Sequence, residues 1–238
     1  MLPPFVGNTV RGALGVALKE QDSPAFEQAF KIEAAVAVPN PYVISVPYPF
    51  AMQCQPGATL PFSVTLFGDA CGFADDFVAA AKDMCRGKLK DCVLDTHELE
   101  YDQVWSDVGA ENIPSCQELL VKFVTPTEIL SSKNAVRELT FSIFVDSLFG
   151  RIADIIDHYT EGEFVIPYAL VARKPRVEAQ YRVKPLRFQT SGQTIDGFIG
   201  TVRYAGDVKR YLPYIDLGSQ IHVGKKTTRA CGEYSFEI

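Results

Sequence analysis

Histidine is scarce in this chain: three in 238 residues, beside one Trp and three Met. Any chemistry that needs an imidazole must therefore use His97, His158 or His222. No stretch reaches roughly 18 uninterrupted apolar residues, so no membrane-spanning helix is expected. The start, Met1-Leu2-Pro3-Pro4, lacks a basic segment followed by an apolar one, so no secretory signal is read. The six cysteines (Cys54, Cys71, Cys85, Cys92, Cys116 and Cys231) form no C-x-x-C pair, which argues against a zinc site. Without an export signal they read as reduced thiols of a cytoplasmic protein. Positive charge is also in deficit, with 23 Lys+Arg against 29 Asp+Glu, a net −6. Taken alone, that argues against a nucleic-acid partner, because phosphate-binding domains are usually basic.

What is present changes the last exclusion. From Arg173 to the end there are 12 basic and 6 acidic residues, while the first 172 residues hold 11 basic and 23 acidic. The C-terminal part alone thus carries the charge of an anion-binding surface. The chain is 47% hydrophobic, enough to bury a core in each of two domains.

The apolar pattern gives the elements. Arg11–Glu20 reads as a short helix with Asn8 or Thr9 as cap, and Ala35–Pro49 as extended chain and turns. Leu60–Phe67 alternates like a strand, and Phe73–Met84 is amphipathic with a helical period. Cys92–Tyr101 alternates again, and Gln103–Ser115 is the linker candidate. Then follow a strand at Leu119–Val124 and the longest helix, Leu139–Tyr159, stopped by Gly162. Val165–Thr190 is extended and hairpin-like, and Gly197–Ala205 is a strand. A short helix is expected over Val208–Tyr214, capped by Asp207 and limited by Pro213. A loop, Val223–Gly232, and a strand, Glu233–Ile238, close the chain.

The second half therefore reads β-α-β-β-α-β and the first α-β-β-α-β. The expected fold is α+β: two tandem ferredoxin-like (RRM-like) domains, residues 1–112 and 113–238, the first lacking its first strand.

The chemistry concentrates near the C-terminus, in Gly197-Phe198-Ile199-Gly200-Thr201-Val202-Arg203-Tyr204-Ala205-Gly206-Asp207 and His222-Val223-Gly224-Lys225-Lys226-Thr227-Thr228-Arg229-Ala230-Cys231-Gly232. A Gly-Lys-Lys-Thr-Thr-Arg loop offers backbone N–H groups, hydroxyls and cations to an anion, and Gly224 lets the chain approach it. A P-loop does not fit: Gly218 lies one position too far back, and a strand follows instead of a helix.

These two segments resemble the terminal motifs of the CRISPR-associated repeat-processing endoribonucleases, the sixth Cas protein family of the RAMP superfamily. Leu2-Pro3-Pro4, Gly7-Asn8 and Arg11-Gly12-Ala13-Leu14-Gly15 resemble that family's N-terminal segment, and Pro41-Tyr42-Val43 and Leu66-Phe67-Gly68 its middle strands. One departure is Ala230, which stands where the family has a glycine. The resemblance implies two ferredoxin-like domains, CRISPR repeat RNA as partner, further CRISPR-associated proteins as companions, no cofactor, and metal-independent cleavage giving a 2′,3′-cyclic phosphate.

Physically, RNA carries its own nucleophile, the 2′-OH. Cleavage needs a base, an acid for the leaving 5′-oxygen, and cations for the charge on phosphorus. His222, next to the basic loop, is the first candidate for the acid or base. Its competing reading is a structural histidine bonded to a backbone carbonyl. Gly224, Lys225, Lys226, Thr227, Thr228, Arg229, Arg203 and Arg187 are the candidate RNA contacts, and no residue set has metal-ligand spacing. The alternative function is a non-catalytic RAMP-type RNA-binding subunit of an effector complex.

Overall fold

The computed structural model describes residues 5–30, 38–49, 59–85, 89, 117–131, 133–161, 170, 177–190 and 193–238. The expected strand Cys92–Tyr101, the linker Gln103–Ser115 and His97 lie outside the described residues.

The C-terminal part is built as β3 (Glu118–Thr127), α4 (Phe141–Tyr159), β6 (Glu178–Thr190), β7 (Gln193–Ala205), α5 (Leu212–Ile221) and β8 (Tyr234–Glu237). Its sheet has the order β6-β7-β3-β8, every neighbouring pair antiparallel. A small hairpin, β4 (Leu130–Ser131) with β5 (Asn134–Ala135), follows β3. The sheet's alternation follows the strand period: Leu119, Val121, Phe123, Val202, Tyr204 and Tyr234 are buried, while Lys122 and Arg203 point to solvent. Eight residues of α4, from Phe141 to Ile156, are buried on the helical period, and each such burial contributes about 2 kcal/mol. Thr140 caps this helix by accepting a hydrogen bond from the Ile143 N–H.

The N-terminal part runs α1 (Gly7–Glu20), α2 (Pro24–Phe30), β1 (Tyr42–Ser45), β2 (Ser63–Leu66), a 3₁₀ turn at Gly68–Phe73, and α3 (Ala74–Asp83). β1 and β2 pair antiparallel. With the C-terminal sheet, these elements compose the α+β tandem ferredoxin-like fold. No strand precedes α1 among the described residues.

Three expectations are corrected. The helix after Asp207 is longer: a 3₁₀ turn at Lys209–Tyr211 leads into α5, which runs on to Ile221. Pro213 sits in the first turn of α5, where its missing N–H costs nothing, so it starts the helix rather than limiting it. Neither Asn8 nor Thr9 caps α1, which begins at Gly7 with no side-chain cap. α2 was not expected. Its signal was Ser23-Pro24, because the Ser23 hydroxyl accepts the Ala25 N–H at 3.1 Å and Pro24 opens the helix.

Two hydrophobic cores result, and they exchange residues. Val10, Leu14, Leu18, Tyr42, Ile44 and Phe77 form the first, which also takes in Ile195, Ala230 and Cys231 from the C-terminal part. Val43 and Phe67 join the second. β1 thus lies between the cores, with Tyr42 and Ile44 facing one and Val43 the other. Burying Ala230 and Cys231 in the first core fixes where the basic loop sits.

Candidate nucleic-acid interface

The loop from His222 to Gly232 departs from ordinary backbone at several points. His222 has φ 60° and ψ 164°, and Lys226 and Ala230 are both left-handed, with φ 63° and 62°. A 3₁₀ turn, Thr227–Arg229, lies between the last two. Gly232, at φ 80°, must be glycine, because a Cβ there would overlap the Val223 carbonyl oxygen. Gly7 is fixed by contact rather than by torsion: its missing side chain lets the first turn of α1 rest on the Arg229 carbonyl.

Much of the loop's hydrogen bonding stays inside the protein. Val223 N–H donates to Gly232, Gly232 N–H to Pro126, and Lys225 N–H to Glu128, at 2.8–3.1 Å. Ala230 N–H donates to Thr227, and Arg229 N–H to Lys226. These amides hold the loop's shape.

His222 is 1% exposed. Its Nδ1 lies 3.1 Å from the Cys231 carbonyl and its Nε2 3.0 Å from Ser45 Oγ on β1. A carbonyl only accepts, so Nδ1 carries the proton, and Nε2 accepts from the Ser45 hydroxyl. Burial pulls its pKa down to about 4, with the nearby Arg151 cation adding to the fall. The ring is neutral at pH 7, and both nitrogens are engaged within the fold. His158 is exposed near the end of α4, with Nδ1 2.8 Å from the Asp154 carbonyl.

The expected RNA contacts divide. Lys225 is exposed and Gly224 half-buried beside it. Lys226 is held by Glu128 at 2.5 Å, and that carboxylate also accepts the Asp196 N–H. Thr227 is buried and accepts a hydrogen bond from Arg151 at 3.1 Å. Thr228 and Arg229 are half-buried. Arg203 on β7 pairs with Glu118 at 2.8 Å, and Arg187 on β6 lies 4.0 Å from Asp196, so neither belongs to the loop cluster.

Four residues join the loop that sequence reasoning did not select: Asn8 and Arg11 of α1, Tyr42 of β1 and Arg151 of α4. Asn8 lies within the first turn of α1 rather than at its cap, and its Oδ1 accepts from Arg229 at 2.5 Å. Arg11 lies 5.1 Å from the Phe30 ring centroid and beside the Tyr42 hydroxyl and Arg229. Burial lowers the Arg229 pKa, and Arg11 lowers it further. The Tyr42 hydroxyl, beside Arg11 and Thr228, is raised by burial to about 12 and stays protonated at pH 7. Burial brings Arg151 down to about 10, partly opposed by Asp154 and Tyr159. The available signals were a lone arginine inside the apolar run of α4, and Asn8, Arg11 and Tyr42 within the segments that carry the family resemblance.

Among the described residues no group of three or more His, Cys, Asp or Glu side chains is placed to hold a metal ion, and no helix is long and apolar enough to cross a membrane. The arrangement presents cations, hydroxyls and a protonated phenol around one tight turn, a donor set suited to a phosphate oxygen.

Residues 121–234 match the family model of the CRISPR-associated endoribonuclease Cas6, and residues 1–115 match a model described as an N-terminal domain. Comparison with curated protein sequences gives no significant match. Among solved structures, a Cas6 product complex superposes with a TM-score of 0.66 at 16% identity, over 100% of this chain and 96% of that one. Thermus thermophilus Cas6 gives 0.63 at 15% identity, over 100% and 93%. The chain of a partial Cas6-RT-Cas1–Cas2 complex gives 0.64 at 13%, over 99% of this chain and 43% of that one. At these identities the structures establish the shared fold, and the family match is confined to residues 121–234. Residues 121–234 of the chain are thus similar to the Cas6 endoribonuclease family, and the whole chain has the fold of the solved Cas6 proteins.

Proposed function

We propose that this protein binds CRISPR repeat RNA and cleaves it without a metal ion. The 2′-oxygen attacks the adjacent phosphorus, the bond from phosphorus to the 5′-oxygen breaks, and the products are a 2′,3′-cyclic phosphate and a 5′-hydroxyl. The 2′-OH proton leaves to a base, and a proton reaches the departing oxygen. The observation that carries the reading is the position of the basic loop. Thr227–Arg229 sits where the two cores meet, packed against α1 and β1. The similarity of residues 121–234 to the Cas6 endoribonuclease family supports endoribonuclease activity. Lys225, Thr228 and Arg229 are the RNA contacts of the loop, and Lys226 serves it structurally through Glu128.

His222 acts in this reading as a positioning residue. A general acid or base needs a nitrogen within reach of the substrate and a pKa near the working pH. A ring that is 1% exposed, bonded at both nitrogens and held near pKa 4 offers neither. It clamps the loop's end to β1 instead.

The same observation favours a second reading, a non-catalytic RAMP subunit that binds RNA through the loop and works beside other CRISPR-associated proteins in the cytoplasm. One experiment separates the two. Repeat RNA is incubated with the protein in EDTA, beside RNA carrying 2′-deoxyribose at the cleaved nucleotide. Cleavage of the ribose substrate alone supports the enzyme. Tight, salt-sensitive binding without cleavage supports the subunit, and no binding at low salt refutes both.

A further inference from the structure

Buried polar groups in folded proteins nearly always find partners, so those that do not call for a reason. Three such atoms surround the Thr227–Arg229 turn: Arg11 Nε, Tyr42 Oη and Arg151 Nε are buried and lack a well-formed hydrogen bond among the described residues, with Arg11 and Thr228 lying close to the Tyr42 hydroxyl. They come from three different elements, α1, β1 and α4, which meet at that turn. Tyr42 itself is wholly buried, at 0% exposure.

The charges are as unusual as the missing bonds. Arg11 stands close enough to Arg229 to disfavour its charge, and neither has a carboxylate partner among the described residues. Arg229 is bonded only to the neutral Asn8 amide, and Arg11 rests on the Phe30 ring. Elsewhere the fold does pair its cations: Lys226 with Glu128, Arg137 with Asp196 and Arg203 with Glu118. Two half-buried guanidinia beside a protonated phenol form a donor set suited to an anion. Solvation of an exposed face does not explain it, since both guanidinia are half-buried and the Tyr42 hydroxyl beneath them is buried.

We propose that Arg11 and Arg229, over the Tyr42 hydroxyl and beside Thr228, clamp one RNA phosphate and stabilise the charge that builds on it during cleavage. The two arginines touch the phosphate; Tyr42 forms the floor and positions Arg11. Asn8 aims Arg229 across the boundary between the two cores. The clamp therefore takes one cation from each domain and exists only when the domains are docked. This assignment rests on the RNA-cleaving reading above, and its test separates the two.

The test uses the full chain and its Arg11→Gln, Arg229→Gln and Arg229→Lys variants. Loss of donors aimed at a developing oxyanion lowers turnover by about 10²–10³-fold, so each Gln variant should cleave repeat RNA about 100-fold more slowly. RNA affinity should fall less than turnover. Arg229→Lys should recover part of the rate, because it restores the charge but not the planar fork. The two Gln variants should melt no lower than wild type, since each removes a like-charge contact, whereas a purely structural role would lower the melting temperature. A second probe is inorganic phosphate at ionic strength matched with chloride: it should raise the melting temperature of wild type and not of the Gln variants. Cleavage by both Gln variants within threefold of wild type overturns the clamp. So does equal stabilisation of all proteins by phosphate, or loss of activity accompanied by loss of melting temperature. If wild type binds no RNA yet phosphate stabilises it alone, the anion clamp stands and the RNA reading fails.

Discussion

Removing the titration of His222 should change how stability depends on pH. In the folded protein its pKa is about 4 and in the unfolded chain about 6.5. A depressed folded pKa gives stability that is whole above pH 6.5 and lost as pH falls towards 4, because only the unfolded chain takes up the proton. At 1.36 kcal/mol per pH unit the full loss is about 3 kcal/mol, of which about 2 kcal/mol is already gone at pH 5. The variant to compare is His222→Asn. Its amide can still donate to the Cys231 carbonyl, its titration is gone, and Asn tolerates a positive φ better than most residues. At pH 7.5 it forfeits the Ser45 hydrogen bond and some packing, about 1–2 kcal/mol.

The two stability curves should therefore approach each other on acidification and meet near pH 5. Urea unfolding from pH 7.5 to 5.0 reads this as the difference in midpoint, and the carboxylates common to both proteins cancel. A difference independent of pH would refute the buried neutral ring. Cleavage supplies the second readout. A general acid or base should cost about 10²–10⁴-fold on substitution and reshape the pH–rate profile. The positioning reading expects a loss of about tenfold or less and an unchanged profile.

Other consequences are as direct. Lys225→Ala should leave stability within about 0.5 kcal/mol, weaken RNA binding and reduce its salt slope by about 0.7–0.9, because the residue is exposed. Lys226→Ala should do the opposite, costing about 3 kcal/mol in urea unfolding by stranding Glu128, which is 12% exposed, while barely touching the salt slope. Gly232→Ala should cost at least about 2 kcal/mol in the same assay, since its torsion and the Val223 carbonyl both exclude a Cβ. Tyr42→Phe should leave the protein as stable or up to about 1 kcal/mol more stable, because it deletes an unpartnered buried hydroxyl, yet slow cleavage about tenfold. A destabilised Tyr42→Phe with normal cleavage would mean that the hydroxyl serves folding alone.

Where a signal was local, the sequence carried it. The period of α4 and the alternation of β3 and β7 are properties of neighbouring residues, and those elements appear close to where they were expected. Pro213 misled because its effect depends on position within a helix: inside it breaks, at the first turn it starts. Asn8 is no cap because α1 begins one residue before it, and its side-chain oxygen serves a longer-range contact with Arg229, 221 residues away. Ala230 replaces a glycine of the resembling family yet keeps the left-handed torsion, at a cost of about 1–2 kcal/mol. Burial of its methyl in the N-terminal core, worth about 0.8 kcal/mol, offsets part of that cost.

The site was legible only as a loop of candidate cations, because pairing decides which of them an anion can use. Lys225 and Lys226 are indistinguishable in sequence, and Glu128, 98 residues from Lys226, makes them different. Net charge by halves has the same weakness. It singles out the basic C-terminal part and leaves out Arg11, which lies in the acidic one. A phosphate responds to the potential within about a Debye length, roughly 8–10 Å, not to the sum over a domain. Arg11 comes near enough to influence Arg229 through the docking of α1 against the Thr227–Arg229 turn. An acidic N-terminal half is therefore compatible with an RNA site at its boundary, so long as its carboxylates are kept from that turn. Introducing one there tests the point: Asn8→Asp would place a carboxylate on Arg229, and RNA cleavage should fall while stability rises.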